Sequence, residues 1–576
     1  MKKIIKYISV IAVAAMSAAC MDLEPQNQLS DPQVWNKAEN YNLFANQFYG
    51  YLRGFQPSGS VVSMNGLKDG PHSDLRSDLV CGQTVNIYSA GTNTIPATDA
   101  DYNNLYNRIY RTNLLLARAG EYGLPMSEIG EAVGEAYFFR AYLHFELLQL
   151  YGDCILVQQP LDVTSGELYA ARTPRLTVAK AIVADLKAAA DLLPDTPSEV
   201  GRLGKDAAWA MLSRVALYEG TWQKFHVGKG SNTEESKALL EEAAKAAGNV
   251  MEAGHYQLFH SDLLGDGESY HYMFIIEDVQ SNPANINKSG NTEYILSRRY
   301  HETLRHIEFN ITVGTYNHGD QTPTSKWADM YRCQDGLPIA KSPLFAGRLT
   351  AAAEFSNRDN RMAATLMKPG SYNHWKQTRT DWSGADQGGK FDLGTNSGYG
   401  NYKWSAEREC APTEESYDWP VIRYAEVLLN YAEAKFEADD AISNADLDLS
   451  LNLVRARCNP MMTKLSNELV AGNGLDMREE IRAERTVELV LEGFRIDDLK
   501  RWKTAEIEMP MDQTGVLYRG TEYESSLWTN CPKPITADGR VLLFDGRRWA
   551  DKNYLYPLPS DQLQLNPALG QNPGWN

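Results

Sequence analysis

Glu488 and Glu492 stand four residues apart, with Arg485 and Arg495 on either side. Paired carboxylates are what glycoside hydrolysis requires, one as acid and one as base or nucleophile. Two carboxylates one turn apart on one helix point the same way, however, and do not flank a sugar from opposite faces. Adjacent arginines would also depress their pKa, the wrong direction for a general acid. The pattern therefore predicts a structural ion-pair network between helices, and Arg423, Glu426 and Glu433 read the same way. His301-Glu302-Thr303-Leu304-Arg305-His306 looks like a zinc-protease helix, but its histidines are five apart, about 140° around a helix. Gly228-Lys229-Gly230-Ser231 lacks the order of a phosphate-binding loop. There is no GxSxG and no complete EF-hand loop. A structural calcium near Asp262 or Asp266 is the one metal option. No catalytic residue and no cofactor are expected, and so no enzyme.

What remains is a binding surface. Sugars offer CH faces to aromatic rings and hydroxyls to polar side chains, so a sugar site needs aromatics in loops with polar groups beside them. Two regions supply this. Asp69 to Asn93 holds Asp74, Arg76, Asp78, Tyr88 and Asn93; residues 298–404 hold Arg299, Tyr300, Tyr316, Trp375, Trp382, Tyr399 and Trp404. The ligand-binding candidates are Asp78, Tyr88, Asn93, Arg299, Tyr300, Tyr316, Trp375 and Trp382. Trp327 reads as core.

These loops need a scaffold. The 576 residues are 43% apolar and 23% charged, the composition of a globular protein, which excludes a disordered chain, a coiled-coil rod and a polytopic membrane protein. A net charge of −18 disfavours nucleic acid as a partner. Helical periodicity runs from about 41 to 225: Val133, Tyr137, Ala141, Phe145 and Leu148 share one face, as do Val178, Ile182, Ala189 and Leu193. Trp209, Leu212 and Ala216 echo the first helix of a tetratricopeptide repeat. From 226 to 417 Gly, Asn, Ser, Thr and aromatics dominate, which predicts long loops with short helices and small strands. Helices resume at about 420–438, 446–458 and 477–503. Pro557, Pro559, Pro567 and Pro573 predict an extended tail. Six cysteines after Cys20 have no metal-ligand spacing and read mostly as buried, with one disulfide left open.

The N-terminus carries an address. Lys2, Lys3 and Lys6 precede a short apolar run ending in Ser17-Ala18-Ala19-Cys20. This resembles the lipobox of bacterial lipoproteins, which makes 1–19 a signal peptide, Cys20 the lipid-bearing residue and 20–40 a tether. Loss of 1–19 removes three lysines and takes the charge to −21. Asp22 and Glu24 look like the surface-export signal of Bacteroidota lipoproteins.

Several segments in one order resemble the SusD/RagB family of outer-membrane nutrient-binding lipoproteins. They are Gly134–Tyr142 running on to Leu150–Asp153, Arg172–Pro174, Asp185-Leu186, Leu193-Pro194 and Gly201–Trp222. Pro323-Thr324, Met330-Tyr331, Asp335-Gly336 and Asn357–Arg361 follow, then Arg423–Glu426, Ala432–Ala434, Glu484–Arg501 with Trp502, Pro557–Pro559 and Gln571–Gly574. The resemblance covers essentially the whole chain after Cys20. It implies a mostly α fold, a tetratricopeptide-like helical scaffold with a large, loop-rich, partly irregular ligand-binding face. As one domain over 41–576, the scaffold would occupy mainly 41–225 and 418–505, the loop-rich lobe 226–417 and the tail 506–576. The resemblance implies a lipid-anchored outer-membrane protein facing the cell exterior. It would bind glycan and deliver it to a SusC-like TonB-dependent transporter. The rival readings are a surface peptide binder of the same fold, with Arg299 or Arg76 near peptide carboxylates, a surface hydrolase and an assembly scaffold.

Overall fold

The computed structural model describes residues 31–55, 74–307, 311–312, 321–373, 378–379, 397–408, 413–527 and 531–575. Cys20 with its leader, Tyr316, Trp375, Trp382 and Cys410 lie outside these residues.

Antiparallel helix pairs form the scaffold. After α1 (Ala38–Ala45) come α2 (Ala100–Tyr122), α3 (Met126–Tyr151), α4 (Arg175–Leu192), α5 (Lys205–Trp222) and α6 (Glu234–Ala253), each packed on the next from α2 onward. Asp99 caps α2 by accepting from the Asp101 and Tyr102 N–H groups. In α3 almost every side chain from Ile129 onward is buried, because α2 and α4 cover two of its faces and the tail a third. Helix α6 is a difference from the sequence expectation, which placed short helices in this stretch. Thr233 and Ser236 form a capping box, and Leu239, Leu240, Ala243, Ala246, Ala247 and Val250 make one buried stripe against α5.

The short α7 (Glu268–Met273) belongs to the loop-rich stretch, and the scaffold resumes with α8 (Tyr424–Asp439), which packs on α5 and α6. Helices α9 (Leu451–Cys458), α10 (Met477–Leu489) and α11 (Arg495–Arg501) follow. The expected helix over 477–503 is broken: Leu491 and Gly493 have positive φ (59° and 84°), so Glu492 lies in a turn rather than on the helix of Glu488.

The described strands form four antiparallel pairs: β1 (Val80–Cys81) with β3 (Thr322–Pro323), β2 (Tyr294–Arg298) with β6 (Trp419–Arg423), β4 (Tyr372–Asn373) with β5 (Thr378–Arg379), and β7 (Gln513–Leu517) with β8 (Arg540–Phe544). The last hairpin lies inside the stretch expected to be an extended tail. The tail then crosses the end of α3: Tyr556 N–H donates to the Leu150 carbonyl (2.8 Å) and Asn572 Nδ2 to that of Tyr151 (3.0 Å). Its final helix, α12, spans Ser560–Leu565.

The expected ion-pair network exists and sits at the centre of the fold. Arg423 donates to Glu293 (2.7 Å), Glu488 (2.6 Å) and Glu492 (2.7 Å). Arg361 donates to Glu488 (2.8 Å), Glu484 (2.6 Å) and Asp359 (2.6 Å). Arg457 donates to Glu293 (2.6 Å) and to Glu488. Nearby, Arg501 and Trp502 both donate to Glu433, at 2.5 and 2.6 Å. The network ties β6, α9 and α10 together through side chains that are almost wholly buried.

Five described cysteines are free thiols, and burial pushes those of Cys81, Cys154 and Cys458 up to about 12. No helix of the described residues is long and apolar enough to cross a membrane.

One close approach gives a direct test of this packing. Strand β7 lies against residue 397, whose carbonyl accepts from Val516 N–H (2.9 Å). A Cβ on Gly515 would stand 2.0 Å from that same oxygen. Gly515→Ala is expected to cost about 3 kcal/mol in urea unfolding, as overpacking against backbone does. Gly472→Ala, in a helix with nothing within 4 Å, should not lower the midpoint and can add up to about 1 kcal/mol of stability; equal midpoints for the two variants would show that β7 does not pack this way.

Candidate functional site

Five sequence candidates fall among the described residues, and the fold separates them. Asp78 is 2% exposed; its carboxylate takes Arg495 at 2.8–2.9 Å and Lys326 at 2.7 Å. Burial would raise its pKa, but Arg495 and Lys326 outweigh this and hold the carboxyl well below the usual range. Asp78 therefore locks the loop to α11 and faces no ligand. Asn93 is buried, with Asn553 donating to its oxygen at 3.4 Å. Tyr88 is half-buried against Tyr556, ring centres 4.8 Å apart. Tyr300 is core: its hydroxyl accepts from Phe55 N–H (2.9 Å), and its ring stacks beside Phe55. Tyr399 and Trp404, also weighed as surface aromatics, are buried, Trp404 in a block with Phe55, Tyr417 and Trp419. Trp327 is core.

Arg299 keeps an open side chain, 42% exposed. It follows β2, and its stem lies over Gly201, where φ is +95° and a Cβ would meet the Arg299 Cδ at 2.8 Å. Only glycine satisfies both demands. Arg299 Nε stands 3.7 Å from Asp418, whose other oxygen accepts from Lys288 (2.7 Å) and from Tyr300 N–H (2.9 Å). Glu199, Arg202, Lys288, Asn291, Arg299 and Asp418 line a cavity of about 390 Å³.

A second cavity of the loop-rich stretch, about 280 Å³, opens between α7, the β4–β5 hairpin and residues 397–408. Its organiser is Glu407. Tyr272 donates to it at 2.5 Å, Tyr402 donates to its other oxygen, and Arg379 on β5 reaches both oxygens at 2.8 and 3.1 Å. Tyr402 stacks on His271, ring centres 4.2 Å apart and nearly parallel. Burial lowers the His271 pKa, which keeps the imidazole neutral. Its Nδ1 is 3.1 Å from the Ala364 carbonyl and so carries the proton. Nε2 makes no hydrogen bond, is itself closed to solvent and stands 3.6 Å from a Glu407 oxygen. Arg379 supplies charged donors at the rim.

This arrangement presents cationic donors and aromatic side chains in a fixed frame, which suits a ligand rich in hydroxyls. Both Glu407 oxygens are already engaged. Trp375, which falls between β4 and β5 in the chain, lies outside the described residues. Asp266 is on the cavity rim and exposed, and Asp262 is fully exposed beside His260. No group of three metal-ligating side chains occurs among the described residues. His271, Tyr272, Arg379, Tyr402 and Glu407 carry no sequence signature: they come from three segments that only the fold brings together.

Residues 280–575 match a family model described as the SusD family, and residues 68–217 match one described as starch-binding, associating with outer membrane. SusD-like protein P2 of Formosa agariphila is 23% identical over 593 residues, covering 99% of each chain. Among solved structures, a SusD-like carbohydrate-binding protein from Bacteroides fragilis superposes with a TM-score of 0.71 at 22% identity, over 93% of this chain and 100% of that one. Surface glycan-binding protein A from Bacteroides fluxus gives 0.59 at 16% identity, over 93% and 99%.

Proposed function

The chain belongs to the SusD family, and from that premise we propose that it is a non-catalytic outer-membrane lipoprotein that captures glycan at the cell surface. Lipid on Cys20 anchors it facing the exterior, and a SusC-like TonB-dependent transporter receives the ligand. Support comes from the matched family described as starch-binding at the outer membrane, and from relatives named for carbohydrate and glycan binding. The observation that carries the reading is the Glu407 cavity, lined by His271, Tyr272, Tyr402 and the half-exposed guanidinium of Arg379. Ligand hydroxyls would accept from Arg379.

The experiment is affinity electrophoresis of a soluble form lacking residues 1–20, in gels containing amylopectin, xylan, galactomannan or laminarin. One polysaccharide should retard the protein and remain unbroken. Arg379→Ala should weaken that retardation about tenfold, the effect of losing a charge-assisted hydrogen bond and the clasp on the hairpin. Wild-type retardation in the variant removes the Glu407 cavity from the reading. Release of sugar would restore a hydrolase. A second reading, peptide capture, is favoured by the open Arg299 guanidinium, a partner for a peptide carboxylate. Under it, a protein digest binds and no polysaccharide does.

A further inference from the structure

Only two aromatic side chains among the described residues are largely open to solvent: Tyr110, 42% exposed, and Tyr169, 63% exposed. Neither is in the loop-rich stretch. Both line one groove of about 710 Å³ on the helical scaffold, bounded by α2, residues 155–169 and the tail around α12. From this geometry we propose that the groove is a second oligosaccharide site, specific for neutral glycans.

Tyr102, Tyr106 and Tyr110 lie at four-residue intervals on α2, so their rings follow one another about 6 Å apart along the helix. Tyr106 is fixed by its hydroxyl, which accepts from the Ile155 N–H (3.1 Å) and donates to its carbonyl (3.3 Å). Tyr110 continues the row to the surface, and Tyr169 lines the same groove from residues 155–169. This is a graded aromatic track, closed at one end and open at the other.

The polar groups of the groove select among occupants. The side chains of Asn103, Asn107 and Gln562 and the hydroxyls of Tyr110 and Tyr169 make no hydrogen bond to any described residue. Amides and phenols each donate and accept, which matches sugar hydroxyls. An apolar helix or acyl chain laid here would strip water from all five and leave them unpaired, at about 1–3 kcal/mol each. Glu167 is the one charged residue in the lining, and it already accepts from Gln159 at 2.7 Å. The groove thus has no cation for a sulfated or uronic chain. Its volume lies inside the range of about 300–1,000 Å³ typical of ligand sites. A scaffold site and a loop-face site on one molecule would hold one polysaccharide strand bivalently and gain avidity without a tight contact at either.

The proposal rests on the glycan reading above, and the test separates the two. Polysaccharide retardation is measured with the four gels named there. Isothermal titration then uses maltohexaose, xylohexaose, mannohexaose and laminarihexaose. Wild-type protein should take up two equivalents of one hexasaccharide. Tyr110→Ala combined with Tyr169→Ala should take up one, with at least tenfold weaker retardation and an unchanged melting temperature, since both side chains are exposed. Asn107→Ala should reproduce part of the loss, and Tyr169→Phe should retain the stacking. Wild-type stoichiometry and retardation in the double variant would overturn the groove and leave the glycan reading standing. A single equivalent in wild type, abolished by Arg379→Ala, would do the same. No retardation of wild-type protein by any polysaccharide would overturn both.

Discussion

Glu488→Ala unfolds the protein instead of silencing a reaction: that is the expected result of largest effect. Glu488 is fully buried and accepts from Arg361, Arg423 and Arg457. Burial opposes its ionisation, but the three guanidiniums outweigh it and hold the carboxyl well below the ordinary range. Removing it leaves three desolvated cations without their shared anion. Breaking a buried pair by deleting one partner costs about 3–5 kcal/mol, against a typical total of about 5–15 kcal/mol. Urea unfolding followed by circular dichroism should show either a collapsed midpoint or no folded protein. Glu488→Gln keeps the shape and loses the charge, and should fare little better. If Glu488→Ala melts normally, the network does not hold α9, α10 and β6 together.

The second expectation concerns pH. Two buried carboxyls each have one oxygen with no partner, Asp74 Oδ1 and Glu415 Oε2. Burial pushes Asp74 up to about 6 and Glu415 up to about 7. In this window the folded chain binds protons at these two carboxyls that the unfolded chain does not, so the two groups add stability as pH falls from 7 toward 5. Glu433 behaves oppositely: despite burial, Arg501 brings it from its ordinary 4.5 down to about 2. There the unfolded chain binds the proton first, and about 3 kcal/mol is lost as pH falls from 4.5 to 2. Glu488, Glu492 and Asp78 shift in the same direction and steepen that loss. Burial also holds His144 and His226 down to about 4 and lowers His271, so below about pH 6.5 the unfolded chain binds those protons first and offsets part of the carboxyl gain. The melting temperature should therefore fall steeply only below about pH 4.5. Glu415→Gln should raise it at pH 7 and flatten the neutral limb while leaving the acid limb alone. A neutral limb that Glu415→Gln leaves unchanged would contradict the raised value.

The scaffold was legible because helices announce themselves by period and cap: the faces of α3 and α4 are readable in 133–148 and 178–193. The ion pairs were legible as charge types, but their geometry was not. Glu488 and Glu492 look like neighbours on one helix, yet a left-handed Leu491 puts Glu492 in a turn, and both reach Arg423 by separate routes. Surface aromatics were the least legible. Trp404 sits in glycine- and serine-rich sequence and Tyr300 follows two arginines, but burial depends on what folds over them, and Phe55, some 245 residues from Tyr300, does so. The Tyr102–Tyr106–Tyr110 interval is visible in the sequence as helical spacing alone. It becomes a groove only once the last residues of the chain form its other wall.

Those last residues also govern when folding can finish. A helix leaves its final carbonyls without partners, and α3 has three of them answered from far along the chain: Gln149 by Lys500, Leu150 by Tyr556 and Tyr151 by Asn572. Arg172 likewise closes on Asn572 at 2.6 Å, across 400 positions. Until the closing segment docks, the central helix has an open end. A chain cut before Asn572 would leave the Tyr151 carbonyl without its distant donor and Arg172 without this acceptor, and α3 would lose that join to the end of the tail.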